Sequence, residues 1–271
     1  MNKVLGIPFL VGRRVAFPIN PGAFRLFLAM LVFVHHFSSL GLGAYAVYVF
    51  FVLSGFWLQR MWTERYRMTR QPYLTYMISR VWRLAPVMIL VSIITIMLLL
   101  VIGIPGAKVF AANGAHLTFS SIFLLGYSWL PYAPVGSAWS LDVEMQFYIV
   151  APLLALAAVM PKGRWLLLAV AALCSLAFST LHVVPILPKY IVFFMVGMVA
   201  AGSGWRPSAK QATVSAMTVI LAVLFVLISP WRGILIGGAT PGPLFRYNFN
   251  YNIALAFATV PYQRVDEVGV I

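Results

Sequence analysis

Three residues whose side chains can take part in acid–base chemistry stand in apolar parts of the sequence. Arg25 and His36 belong to one apolar stretch, FRLFLAMLVFVHHF, and Glu144 lies in WSLDVEMQFY. An ionisable residue at membrane depth costs about 2.5–3.5 kcal/mol on insertion scales, so such residues usually serve a function. A neutral imidazole can take the proton of a hydroxyl group near neutral pH, which makes His36 a candidate general base. The alternative is a structural His36 whose ring is bonded to a backbone carbonyl.

Helical geometry predicts that Arg25 and His36 share one face of their helix. The distance between them in the sequence corresponds to about 16 Å along the helix axis and a net rotation of about 20°. We expect this face to lie in the interior of a helical bundle, with Arg25 in the inner half of the membrane and His36 in the outer half. The neighbouring His35 points about 100° away and is not expected to be equivalent.

Asp142 and Glu144 both stand early in an apolar segment, where the helix dipole favours a carboxylate. That effect alone is enough to explain one of them. Their spacing puts them about 200° apart, so at most one faces the bundle interior. Glu144 shares a stripe with Tyr148 and Ala151, which favours Glu144 as the inward residue in the outer half of the membrane. We predict that Glu144 forms a salt bridge or hydrogen bond with His36 or with an arginine, because a buried carboxylate needs such a partner.

The elements that position these residues are predicted to be membrane helices. The chain is 62% apolar and only 9% charged, a composition that excludes an ordinary soluble globular protein. Residues 121–133 are too short to cross a bilayer comfortably and are predicted to be re-entrant or interfacial. Residues 233–245 are predicted to be a loop. The predicted fold is an all-α polytopic bundle in a single domain over residues 1–271. Its spans, about eight by length, are residues 24–41, 43–59, 84–105, 143–160, 165–181, 189–203, 212–229 and 246–261.

The net charge of +14 is interpreted as a signal of membrane topology rather than of nucleic-acid binding. The basic residues collect in loops on one side of the membrane if residues 1–23 form a cytoplasmic tail. This asymmetry predicts a multi-pass membrane protein, in contact with lipid, with its N-terminus in the cytoplasm. A full crossing by residues 121–133 would remove the asymmetry. Neither a metal site nor a nucleic-acid partner is expected.

Two further motifs lie in the second and third predicted helices. Arg80 and Arg83 are one turn apart on a helix that is predicted to enter the membrane at Pro86, and this spacing suits a phosphate group at the inner surface. A phosphorylated cofactor could dock there. The alternative is a topology signal in contact with anionic lipid head groups. Ser54 and Gly55 in FFVLSGF form a small pair that predicts close packing between helices.

In their order along the chain, these motifs resemble the membrane acyltransferase 3 family, the integral-membrane O-acyltransferases of bacterial glycans. Arg25 with His36 resembles the family's Arg-x10-His signature, and VYVFFVLSGF resembles its second-helix motif. RVWRLAP resembles the Arg-x-x-Arg-x-x-Pro start of the third helix, and WSLDVEMQFY resembles a Trp-Ser-Leu-x-x-Glu-x-Gln-Phe-Tyr block. The match runs over most of residues 24–148. Four motifs in the right order are more specific than any one of them alone.

The resemblance implies transfer of an acyl group, commonly acetyl, from cytoplasmic acyl-CoA to a hydroxyl group. The implied donor is acetyl-CoA or another acyl-CoA, and the implied acceptor is a glycan or a lipid-linked sugar, as in the O-acetylation of polysaccharides. By this resemblance His36 is the catalytic base or an acyl-relay residue, and Arg25 and Glu144 support it. Arg80 and Arg83 would help to bind the donor.

The chain departs from the pattern of this family in two respects. Family members often have Asp where Tyr48 stands, and if that Asp is the partner of the histidine, Glu144 must serve here. They also usually have more membrane helices, so the C-terminus is expected to be short relative to the family. Two alternatives stay open. One is a transporter or proton relay, because His and Glu at membrane depth also build such pathways. The other is a truncated, non-catalytic relative.

Overall fold

The structure is a computed structural model that describes residues 21–37, 42–102, 113–131, 133–179, 185–204, 207–228 and 249–262. Within these ranges the chain is helical and has no strand, so the all-α prediction is confirmed. The predicted tail and the predicted loop at 233–245 lie outside the described residues, apart from the last residues of the tail. The helices are α1 (Pro21–Phe37), α2 (Gly43–Glu64), α3 (Pro72–Ile102), α4 (Gly114–Phe123), α5 (Trp139–Val159), α6 (Pro161–Ser179), α7 (Leu187–Gly202), α8 (Ala209–Ile228) and α9 (Phe249–Ala258).

Three helices of the described chain are long and apolar enough to cross a membrane: α3, α6, and α5 together with the 3₁₀ turn Gly136–Ala138 that precedes it. Shorter apolar helices include α1, α7 and most of α8. Many large apolar side chains of α3 and α6 are exposed, as expected for helix surfaces that face lipid. The prediction of eight spans therefore stays a prediction, while the membrane character of the chain agrees with these helices.

Helix α3 begins earlier than the span predicted from hydropathy. It starts at Pro72 rather than near residue 84, and it continues through Pro86. Pro72 is tolerated at this position because a backbone N–H in the first turn of a helix would have no intrahelical partner. Arg80 and Arg83 lie on this one continuous helix, as predicted, and Pro86 lies inside it.

The segment at 121–133 does not form a spanning helix. Helix α4 ends at Phe123, and Leu124 and Gly126 then adopt the left-handed conformation with φ of 56° and 75°. A 3₁₀ turn, Tyr127–Trp129, follows. The irregular backbone agrees with the prediction that this segment does not cross the membrane as a helix.

The described chain forms two compact units. One unit comprises Val47–Trp205, and the other comprises Met1–Ala46 with Arg206–Ile271. In the second unit α8 packs against α9, and the Ser215 hydroxyl donates to the carbonyl oxygen of Ala258. In the same unit the hydroxyls of Tyr45 and Thr259 are 3.0 Å apart. In the first unit α5 packs against α3, α6 and α7.

Helices α2 and α7 approach each other closely in the first unit. A Cβ atom at Gly55 would overlap the Phe194 carbonyl oxygen, and a Cβ atom at Gly197 would overlap the Val52 carbonyl oxygen. Aromatic pairs flank this contact, with the rings of Phe51 and Phe194 stacked at 4.6 Å between centroids. The prediction of close packing at the small pair in FFVLSGF is confirmed. Ser54 is therefore fixed at a helix contact that only glycine permits.

Candidate active site

Glu144 is held by two hydroxyl groups from two helices. Ser54 of α2 and Tyr148 of α5 both donate hydrogen bonds to its Oε1. Tyr148 stands one turn after Glu144 on the stripe predicted from the sequence, and Ala151 on the same stripe is fully buried. Glu144 itself is half-buried. Its carboxylate is therefore satisfied by neutral donors at the surface where α2 meets α5.

Arg80 reaches the same place from α3. Its side chain is only 8% exposed. Its Cζ atom lies 5.8 Å from the ring centroid of Tyr66, 5.4 Å from that of Tyr76 and 5.2 Å from that of Tyr148. Aromatic faces attract a cation, by about 2 kcal/mol where water is excluded. We call these three rings the tyrosine cage, and they hold a buried positive charge without neutralising it.

Arg80 and Glu144 do not form a salt bridge, although the ring of Tyr148 contacts one and its hydroxyl binds the other. Among the residues that the structure describes, the buried Nε of Arg80 has no hydrogen-bond partner. The predicted bond from Glu144 to His36 or to an arginine is thus not formed with Arg80. A tyrosine hydroxyl and a serine hydroxyl take that place.

Arg80 and Arg83 differ in their exposure. Arg80 is enclosed by the tyrosine cage, whereas Arg83 is exposed. Tyr76 and Arg80 lie one turn apart on the buried face of α3, whereas Arg83, three residues after Arg80, lies at the exposed edge of that face. The structure thus shows one buried and one exposed cation, and the binding of a phosphate by the two arginines stays a prediction. The sequence predicts Glu144 in the outer half of the membrane and Arg80 at the inner surface, but both residues contact Tyr148 and so form one cluster.

Asp142 has a different role from Glu144. It is fully buried, and its carboxylate accepts hydrogen bonds from the backbone N–H groups of Gly126 at 3.1 Å and Ser128 at 2.8 Å. The Gln146 amide donates to it at 3.0 Å and also accepts from the backbone N–H of Leu187 at 2.9 Å. Asp142 thus ties the irregular segment before α5 to the start of α7. The prediction that Glu144 is the inward carboxylate is incomplete, because Asp142 is the more buried of the two.

Tyr127 strengthens the same segment. Its hydroxyl accepts a hydrogen bond from the backbone N–H of Val135 at 2.8 Å. Burial raises the pKa of Tyr127 above its usual range, so this side chain stays neutral. His116 also contacts the segment, with Nε2 3.0 Å from the carbonyl oxygen of Gly126. Four separate contacts therefore fix the backbone that leads into the helix of Glu144.

Arg25 and His36 lie on one continuous helix, α1, in the other unit. Arg25 is half-buried and His36 is exposed, while the buried side of α1 carries Phe24 and Leu28. His35 packs against the first turn of α2, since a Cβ atom at Gly43 would lie 2.6 Å from His35 Cγ. The structure does not bury His36, so an interior face shared by Arg25 and His36 is not observed. The pairing of His36 with Glu144 stays a prediction.

Comparison with known proteins decides the family. The sequence model of the Acyl_transf_3 family, described as an acyltransferase domain, matches residues 20–261. The chain belongs to this family. No curated protein and no solved structure compared with this acyltransferase matches it significantly. Together with the apolar helices, family membership identifies a membrane acyltransferase.

Sequence reasoning missed three members of the acyltransferase's buried cluster. Tyr66 and Tyr76 are not among the predicted site residues, and Ser54 is predicted only to take part in helix packing. Tyr76 precedes Arg80 by one helical turn, which could have indicated a ring beside the guanidinium group. The bond from Ser54 to Glu144 joins residues 90 positions apart and has no local signal.

Proposed function

We propose that this acyltransferase moves an acyl group, acetyl in the simplest case, from cytoplasmic acyl-CoA to a hydroxyl group of a glycan or lipid-linked sugar. The proposal includes the inner membrane as its location, with the N-terminus in the cytoplasm. The observation that carries it is the cluster of Glu144 and Arg80 within a chain of the acyltransferase 3 family. A carboxylate held by hydroxyls beside a caged cation suits a reaction in which charge moves between an oxygen and a thioester.

In the proposed reaction the acceptor hydroxyl loses its proton to His36 as its oxygen attacks the thioester carbonyl carbon. The bond from carbon to sulfur breaks, and the thiolate of CoA takes a proton from the protonated His36. An ester of the acceptor and free CoA are the products. Arg25 supports His36, and Glu144 supports the site. Arg80 and Arg83 assist donor binding, one as a buried cation and the other as an exposed one.

The test compares two histidines of the same helical turn. Membranes with wild-type protein, His36→Ala or His35→Ala are supplied with radiolabelled acetyl-CoA, and the release of CoA and label in the glycan fraction are measured. We expect His36→Ala to abolish transfer to the level of empty membranes. We expect His35→Ala to retain it once the protein amounts are matched. Equal transfer by wild type and His36→Ala would refute the role of His36.

The alternative of a non-catalytic relative is favoured by one observation. Tyr48, at the position where family members often have Asp, is buried and its ring stacks on Phe193 at 4.4 Å between centroids. A packed aromatic ring cannot act as the carboxylate partner of a histidine. If wild-type membranes transfer no more label than empty ones at equal expression, this alternative replaces the proposed reaction.

A further inference from the structure

Tyr148 contacts the two charged groups of the cluster in two different ways. Its hydroxyl donates to Glu144, and its ring face lies 5.2 Å from Cζ of Arg80. The side chain of Tyr148 is 1% exposed, so it cannot swing away into solvent. One rigid side chain therefore meets a carboxylate at its tip and a guanidinium group at its face.

It is unusual for two opposite charges that are shielded from water to lie near each other without forming a salt bridge. Buried ions normally pair with each other, because each is costly without a partner. Here Glu144 takes its bonds from Ser54 and Tyr148, and Arg80 takes its stabilisation from aromatic rings. The Nε of Arg80 keeps an unused hydrogen-bond donor among the described residues. No salt bridge joins the two groups.

We propose that Tyr148 is a positioning residue that holds Glu144 away from Arg80. This inference rests on the proposed function, in which Arg80 serves the donor and Glu144 serves the site. Kept apart from the carboxylate, Arg80 retains its charge and its donors for an anionic group of acyl-CoA. Glu144 likewise stays available to the reaction, because its carboxylate is not engaged in a salt bridge with Arg80.

Tyr76 provides a matched control for Tyr148. Both rings face Arg80, at 5.4 Å and 5.2 Å from Cζ, and both side chains are buried. The hydroxyl of Tyr76, in contrast, has no hydrogen-bond partner within the described part of the chain. Tyr76→Phe and Tyr148→Phe each remove one oxygen and keep the ring, but only Tyr148→Phe removes one of the two hydrogen bonds that hold Glu144.

The first experiment measures acyl transfer as a function of acetyl-CoA concentration in the two variants. We expect Tyr148→Phe to raise KM for acetyl-CoA about tenfold, the effect of a partner worth 1.4 kcal/mol, with a smaller change in kcat. Tyr76→Phe should change KM less than about twofold by the same conversion. A general loss of structure would instead lower the amount of active enzyme and hence kcat. Equal changes in the two variants, or a loss confined to kcat, would overturn the inference.

The second experiment does not depend on activity. A double-mutant cycle of Arg80→Gln and Glu144→Gln is measured by unfolding in mixed micelles, once in the wild-type background and once in Tyr148→Phe. We expect a stronger stabilising coupling between the two residues in Tyr148→Phe, where Ser54 alone holds the carboxylate, than in wild type. Coupling of the same size in both backgrounds would overturn the positioning role. If wild-type protein neither binds acetyl-CoA nor transfers acetyl, the proposed function fails, and this cycle still decides whether Tyr148 separates the charges.

Discussion

Asp142 and Glu144 should respond in opposite ways to loss of their charge, although they are two residues apart. The change is Asp142→Asn compared with Glu144→Gln. Asp142 accepts from two backbone N–H groups and from the NH₂ group of Gln146, whose oxygen is already bonded to the Leu187 N–H, so all three partner groups can only donate. Glu144 accepts from two hydroxyls, which can rotate and either donate or accept. The first site therefore requires a carboxylate, and the second tolerates an amide.

The expected loss of stability in each variant follows from the hydrogen bonds that the substitution removes. In Asp142→Asn the amide oxygen can keep the partners of Oδ1, but the new NH₂ group faces the backbone N–H of Ser128, now 2.8 Å from Oδ2. One bond to a charged group is lost and one buried N–H is left unsatisfied, which destabilises the protein by about 2–4 kcal/mol. Glu144→Gln should cost less than about 1 kcal/mol, because both hydroxyls find a partner on the amide.

The assay is equilibrium unfolding of purified protein in mixed micelles, combined with acetyl transfer by the folded fraction. We expect Asp142→Asn to lower the free energy of unfolding and to leave transfer by the folded fraction near the wild-type rate. We expect Glu144→Gln to keep the stability and to lose transfer. The assignment of a structural role to Asp142 and a functional role to Glu144 would be refuted if Asp142→Asn were as stable as wild type.

Two further predictions concern the packing around this site. Gly55→Ala should destabilise the protein by about 1–3 kcal/mol through overpacking, because the added methyl group meets a neighbouring backbone. Gly136→Ala, whose added methyl group meets open space, is the control, and a loss as large as that of Gly55→Ala would contradict the helix contact. Arg80→Met should lose the attraction of three rings, about 2 kcal/mol in a protected site, while Arg83→Met at an exposed position should leave unfolding unchanged. Equal stability of the two arginine variants in the same unfolding assay would show that the cage contributes nothing.

The sequence is sufficient to predict a structural feature when that feature depends on residues close together in one helix. The stripe of Glu144 and Tyr148 follows from helical period, and the close contact at Gly55 follows from the small pair that contains it. The shared binding of a phosphate by Arg80 and Arg83 stays a prediction, and the burial of Arg80 but not of Arg83 depends on which face of the helix other elements cover. The bonds of Asp142 to Gly126 and of Glu144 to Ser54 arise only when distant segments fold together, so no local pattern carries them.

The glycine contact between α2 and α7 has a consequence for how the enzyme can move. Each helix places a backbone carbonyl where the other has no side chain, so sliding by one residue would bring a Cβ atom into collision with a backbone oxygen. We therefore expect α2 and α7 to move as one rigid unit during a catalytic cycle. Ser54 is next to Gly55 in this rigid unit. Its hydrogen bond is therefore expected to hold Glu144 in one position while donor and acceptor bind and products leave.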